Sequence, residues 1–198
     1  VKVSISQFYG IEINDFAVTV AKTALWIAES QMLKETEAIV LMHLDFLPLK
    51  TNASIHEANA LRVDWETIVP KNRLSYIMGN PPFIGARLMN AAQKDDINTI
   101  FAGWKNAGNL DYVCCWYKKC ADMMKETNVR SALVSTNSVC QGESVANLWK
   151  PLFESGIQIN YAYRTFRCDS EAKIKAHVHC VIIGFSYMRL GVKRIYQN

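Results

Sequence analysis

Asn80-Pro81-Pro82-Phe83 stands directly behind an apolar run, Leu74-Ser75-Tyr76-Ile77-Met78-Gly79, and combines residue types that can activate an amine. An exocyclic amine on a planar base is a poor nucleophile, because its lone pair is delocalised into the ring. Two acceptors that take hydrogen bonds from both N–H groups favour a pyramidal nitrogen with its lone pair free. The Asn80 side-chain oxygen and the Pro81 carbonyl are candidates for that pair. Pro81 and Pro82 stiffen the loop before a substrate arrives. Phe83 offers a face on which a base can stack, worth about 1–3 kcal/mol per base in single-strand complexes. The plainer alternative is a loop that closes a strand, with Asn80 as a turn former and Phe83 in the core.

Presenting such a loop requires a strand beneath it. The first proline cannot donate to a ladder and holds the residue before it extended, so the run 74–79 reads as a buried strand that leaves its sheet at Asn80. Ligands bind at the carboxyl edge of open α/β sheets. Upstream, Gln7 to Glu12 reads as a strand, and Asn14-Asp15 as the N-cap of a helix on which Phe16, Val20, Leu25 and Ile27 recur. Residues 35–52 read as a connection with at most one short element, Ser54 to Leu61 as a short strand and Asp64 to Ile68 as a single helical turn. Residues 84–109 read as an irregular loop with a short helix inside it. Asp111 is expected to cap a helix through Lys125 with Val113, Trp116, Tyr117, Cys120 and Met124 on one face. A strand over 131–136, a helix over 145–153 and two strands over 157–164 and 177–185 complete the pattern. Alternating strands and helices predict an α/β fold, a mainly parallel sheet covered on both faces, with an antiparallel C-terminal hairpin at one edge.

The 198 residues are half apolar, enough for a core and for one domain. With 22 Lys+Arg against 18 Asp+Glu the net charge is +4, compatible with a polyanionic partner but too mild to demand one. The six cysteines form no CxxC pair and have no histidines at ligand spacing, so they read as reduced thiols in a cytoplasmic protein and no metal is expected. His177 and His179 share one face of a strand without a third ligand and read as packed histidines. Arg164, Arg167, Lys173 and Lys175 form a small basic cluster that suits phosphates or plain solvent equally. No apolar stretch approaches the ~20 residues that cross a bilayer. The chain opens on Val1 in a strand pattern, which suggests a piece of something longer.

The Asn-Pro-Pro-Phe motif and its surroundings resemble the S-adenosylmethionine-dependent DNA adenine-N6 methyltransferases over nearly the whole chain. The likeness is greatest to large bacterial enzymes that combine restriction and modification in one polypeptide. In those terms residues 1–198 form a partial class I (Rossmann-like) catalytic domain carrying the second to eighth motifs. The resemblance implies catalytic roles for Asn80, Pro81, Pro82 and Phe83. Gln7 to Asn14 is similar to the second motif, which implies that Glu12, with Ile13 beside it, meets the ribose hydroxyls of the cofactor. One carboxylate can accept from both. A carboxylate capping the following helix is the alternative.

Asn59-Ala60-Leu61 resembles the third motif, with Asn59 where an aspartate usually meets the cofactor adenine. An ordinary half-buried strand over Ser54 to Leu61 explains it equally well. The helix beginning Asp111-Tyr112-Val113 resembles the fifth motif, and Ser131 to Asn137 with Gln141-Gly142 resembles the sixth. Thr165-Phe166-Arg167 resembles part of the eighth, which makes Phe166, on a loop, the candidate second aromatic against a flipped base, with core packing as the alternative.

A glycine-rich first motif is missing, since no Gly-x-Gly occurs. The resemblance then implies that strand one and the target-recognition domain lie outside these residues, leaving an edge open to a homo-oligomer or an exchanged strand. It implies duplex DNA as partner and methyl transfer to N6 of a flipped adenine within a restriction-modification system. Protein glutamine or RNA is the alternative acceptor, and an inactive binding or structural piece is the third reading.

Overall fold

Residues 3–43, 53–168 and 178–197 are described in the computed structural model. The chain divides into two compact units, Val1–Val69 and Pro70–Asn198.

In the first unit, Tyr9–Glu12 (β1) leads through Asn14 into a 26-residue helix, Asp15–Val40 (α1). Asn14 caps that helix as its type predicts, its Oδ1 accepting from the Ala17 N–H at 3.0 Å. The helix continues through residues 35–40, which the sequence pattern assigns to a connection, and ends where Leu41 adopts φ 53°. Good helix formers without a breaker carry it on. Ser54–Glu57 (β2) pairs with β1 in parallel, placing Glu57 opposite Glu12. The expected strand 54–61 is therefore short, because a turn over 59–63 takes its second half. Of the apolar positions expected to face a core, Phe16, Val20 and Ile27 are exposed, and Val18 is the buried residue of α1.

The second unit is built on a five-stranded sheet. Its strands are Tyr76–Gly79 (β3), Arg130–Thr136 (β4), Gln158–Cys168 (β5), Val178–Ser186 (β6) and Arg194–Tyr196 (β7), in the order β3-β4-β6-β5-β7. The sheet is mixed: β3–β4 and β5–β7 run parallel, β4–β6 and β5–β6 antiparallel. The two C-terminal strands pair antiparallel as their spacing predicts, but they do not form the edge. The unanticipated β7 adds to β5, with the Tyr163 and Tyr196 rings stacked at 4.7 Å. Three residues between Lys193 and Gln197 carry too little pattern to read as a strand without their partner.

Expected as buried, β3 is instead an edge strand among the described residues, with Tyr76 and Met78 exposed. The segment 84–109 is more ordered than its glycines suggest. It holds a ten-residue helix, Ala91–Ile100 (α2), started by a reciprocal Asn90–Gln93 capping box.

Cys114–Met124 (α3) and the turns Val145–Trp149 (π-helical) and Lys150–Glu154 (α4) pack on the sheet. Tyr117 of α3 is the centre of this core. It is fully buried, stacks on Phe185 of β6 at 5.2 Å, meets Trp149 edge-on at 5.3 Å, and shares a 2.8 Å hydrogen bond with Ser135 of β4. Of the expected face, Val113, Tyr117, Cys120 and Met124 are buried and Trp116 is half-buried.

Cys114, Cys115, Cys120 and Cys180 are buried and Cys140 is exposed. Burial pushes the Cys115 and Cys120 thiols up to about 12, the charge of Asp96 adding to the rise at Cys115. Burial, with Asp111 nearby, raises Cys114 further. From 9.0 to about 12 the thiolate fraction at pH 8 falls about 10³-fold. A maleimide should therefore label Cys140 of the native protein and leave Cys114, Cys115 and Cys120 intact, as peptide mass spectrometry would report. These folded-state pKa values lie above the unfolded ones, so their stabilisation is full below about pH 9 and is lost as pH rises towards about 12. Among the described residues no helix is long and apolar enough to cross a membrane, and no cluster of His, Cys, Asp and Glu has the geometry of a metal site.

Candidate active site

At the carboxyl end of β3 the chain leaves the sheet into Asn80-Pro81-Pro82-Phe83. Asn80 and Pro82 are exposed, Pro81 is buried and Phe83 half-buried. The Asn80 carboxamide and the Pro81 carbonyl accept no hydrogen bond from the described residues. Buried Pro81 seats the loop beside the exposed Asn80. An asparagine used as a turn former bonds its own backbone two or three residues on, and Asn80 does not.

The loop is also held from beyond Phe83. The Ile84 carbonyl accepts from the Tyr112 N–H at 2.9 Å, and the Ala86 N–H donates to Asp111 Oδ1 at 3.0 Å. Asp111 Oδ2 in turn accepts from the Ser138 hydroxyl at 2.6 Å. The expectation that Asp111 caps a helix is thereby corrected: α3 starts at Cys114 with Val113 at its cap, and the Asp111 side chain is spent on two distant segments. A helix cap and a tether require the same residue type, and only the partners tell them apart.

Phe166 lies within β5, opposite Cys180, rather than on a loop. It is half-buried, and a register shift between Tyr163 and Phe166 turns the strand there. Because β5 runs parallel to β3 and β4, Phe166 is near the same carboxyl edge as Asn80. Three strand spacings separate β3 from β5, about 14 Å. Phe83 and Phe166 thus share an edge without adjoining strands. Of the basic cluster, Arg164 donates to Gln197 at 3.2 Å, Arg167 lies in β5, and Lys173 and Lys175 lie outside the described residues. Of the two histidines read as packed, His177 also lies outside them and His179 is exposed.

The cofactor-side candidates come together in the first unit, at the carboxyl ends of the parallel pair β1–β2. The Glu12 carbonyl accepts from the Ala58 N–H at 2.9 Å, so the end of β1 is tied to the residue before Asn59. Glu12 Oε1 accepts from the Asn14 N–H at 3.0 Å, which fixes the carboxylate and leaves its other oxygen to accept. Asn59 Oδ1 accepts from the Leu61 N–H at 2.9 Å, an Asx turn that uses one acceptor site and leaves the amide N–H groups. The Ala60 carbonyl takes the Trp65 indole N–H at 2.8 Å, and Ile13 is exposed beside Glu12. A carboxylate with an uncommitted oxygen, an amide and small or apolar neighbours at adjacent parallel strand ends is a donor and acceptor set that suits a nucleoside.

A family model described as "MmeI, DNA-methyltransferase domain" matches residues 1–197. The chain belongs to that family. DNA methyltransferase A of Bacillus subtilis (strain 168) is 47% identical over 195 residues, covering 97% of this chain and 22% of the relative. The structure of the Type IIL restriction-modification enzyme MmeI in complex with DNA superposes on 100% of this chain with a TM-score of 0.93 and 40% identity, and 27% of that protein is covered. The ATP-dependent Type ISP restriction-modification enzyme LlaBIII, bound to DNA, shares the fold at a TM-score of 0.52 and 14% identity over 96% of this chain and 14% of its own. The chain therefore spans about a quarter of the length of its MmeI-like relatives. Its fold is the class I methyltransferase fold of restriction-modification enzymes, with the mixed sheet described above. The sequence pattern offers Asp111 as a helix cap and leaves Ser138 unmarked, because a tether between loops has no local pattern.

Proposed function

We propose that the parent protein transfers the methyl group of S-adenosylmethionine to N6 of an adenine flipped out of duplex DNA, as the modification activity of a restriction-modification system. The observation that carries this reading is the pair of uncommitted acceptors, Asn80 Oδ1 and the Pro81 carbonyl, on a proline-stiffened loop in a domain of the MmeI methyltransferase family. In this reading the two N6–H groups donate to Asn80 and Pro81, and the acceptors face the positive charge that grows on N6 as the new bond forms. Acceptors aimed at charge that develops in the transition state accelerate the step itself. Phe83 stacks on the base, and Phe166 closes the pocket from the β5 side of the same edge.

Glu12 would hold the ribose hydroxyls of the cofactor, with Asn59, Ile13 and Ala60 around its adenine. When bound, the cofactor supplies an electrophilic methyl on a sulfonium. A glycine-rich loop and a further parallel strand from outside residues 1–198 belong to the same reading. β1 and β3 are each edge strands among the described residues, and each offers a ladder to such a strand.

The test is a labelled-methyl assay of the full-length protein on duplex DNA, RNA and protein acceptors, followed by nucleoside mass spectrometry. N6-methyladenine in DNA is the expected product. Label in glutamine or in RNA would replace this reading with one of its rivals, and an absence of label would favour the inactive piece. On the cofactor side, Glu12→Ala should weaken S-adenosylmethionine binding to the full-length protein by about 10–100-fold, the loss of hydrogen bonds to a charged acceptor. Calorimetric titration measures it, and an unchanged affinity removes Glu12 from the site.

A further inference from the structure

We infer that Asp111, acting with Ser138, is the positioning residue that sets the geometry of the Asn80–Phe83 acceptor loop; the inference rests on the methyltransferase reading above. The loop has no ladder of its own, so its shape follows from where its two ends are held. At the near end, β3 is in parallel register with β4, Gly79 opposite Leu133. At the far end, Ile84 and Ala86 are bonded to Tyr112 and Asp111. Asp111 passes that hold to Ser138, in the turn Asn137–Cys140 that directly follows β4. The Ser138 hydroxyl lies 2.6 Å from Thr136 Oγ1, the last residue of β4. Both ends of the loop are therefore referred to one strand.

A carboxylate suits this place because it is acceptor-only with two oxygens. It can take an N–H from one segment and an O–H from another at once, each bond strengthened by its charge. The loop it closes carries an exposed asparagine whose usefulness depends on being in place in advance. A displacement of about 1 Å in such a group can cost 10²-fold in rate.

Asparagine at 111 can preserve the arrangement by rewiring it. Its oxygen accepts from Ala86, its amide donates to Ser138 Oγ, and the Ser138 proton turns to Thr136. Alanine can do none of this.

The experiment compares Asp111→Ala, Asp111→Asn and Ser138→Ala with wild type and Asn80→Ala in the full-length protein. It records kcat, KM for DNA, S-adenosylmethionine affinity, and amide exchange by mass spectrometry. For Asp111→Ala, kcat should fall about 10²-fold while KM and cofactor affinity change little. Exchange should rise in peptides over 80–88 and stay as in wild type over α3 and β4. Asp111→Asn should recover most of the rate, and Ser138→Ala should fall between the two. Unchanged kcat and unchanged exchange over 80–88 in Asp111→Ala would overturn the inference. So would a loss that Asp111→Asn shares in full and that comes with raised exchange across α3 and β4, the mark of a merely structural role. If wild type methylates something other than adenine, the functional reading fails instead, and the exchange comparison still decides whether Asp111 holds the loop.

Discussion

Asn80→Ala in the full-length protein is expected to lower kcat for adenine methylation by about 10²–10³-fold, the scale measured when one preorganised hydrogen-bonding group is removed from a site of developing charge. The expectation follows from what Asn80 lacks as much as from what it has. Asn80 is exposed and its carboxamide has no hydrogen bond among the described residues, whereas the candidate Asn59 spends its oxygen on its own turn. Removing an uncommitted, exposed side chain leaves no buried group stranded, so stability should change by less than about 0.5 kcal/mol. DNA affinity and base flipping, followed by the fluorescence of 2-aminopurine at the target position, should survive. Asn80→Asp keeps an acceptor and should retain much of the rate. If Asn80→Ala turns over like wild type, the acceptor mechanism is wrong whatever the family.

Tyr117→Ala has the largest expected effect on stability, about 3–5 kcal/mol, as for other aromatic-to-alanine changes in a core. Tyr117 is fully exposed to its neighbours and not at all to water: Phe185 stacks on it, Trp149 meets it edge-on, and its hydroxyl is bonded to Ser135. The substitution opens a cavity between α3 and the β4–β6 pair and leaves the buried Ser135 hydroxyl without that partner. Against a typical stability of 5–15 kcal/mol this is a large fraction. Tyr117→Phe keeps the ring and loses the hydrogen bond, at about 1–2 kcal/mol. Denaturant melts of both variants measure the difference. A shift under about 1 kcal/mol for Tyr117→Ala would mean that the second unit does not depend on this cluster.

What could be read from the chain alone has a common cause. Asn14 as a cap, the buried face of α3, the exit of β3 at Asn80 and the antiparallel partners near 158–168 and 178–186 are all governed by chemistry within a few residues. Proline removes a donor at its own position, and an apolar period of 3.6 is visible in a window of eleven residues. The position of the proposed acceptor loop belongs to this class, because its two candidate acceptors are consecutive and follow β3 directly. So does Glu12 at the end of β1, whereas Asn59, expected within a strand over 54–61, lies in the turn beyond β2.

Other features required the tertiary structure. Asp111 has the same residue type and the same place before a helix as an N-cap, yet its partners lie 25 and 27 residues away at Ala86 and Ser138. Phe166 belongs to β5 because β6 pairs with it, and β3 became an edge strand because of the order in which the sheet assembled. Strand order, register and long-range hydrogen bonds are decided by which surfaces bury together, and no local window contains both partners. The sequence by itself thus determined where the chain leaves β3 and which acceptors it places there, the pair proposed to activate an amine. Only the fold decided what holds the loop, since an acceptor's identity is a local property and its position is set by contacts made far along the chain.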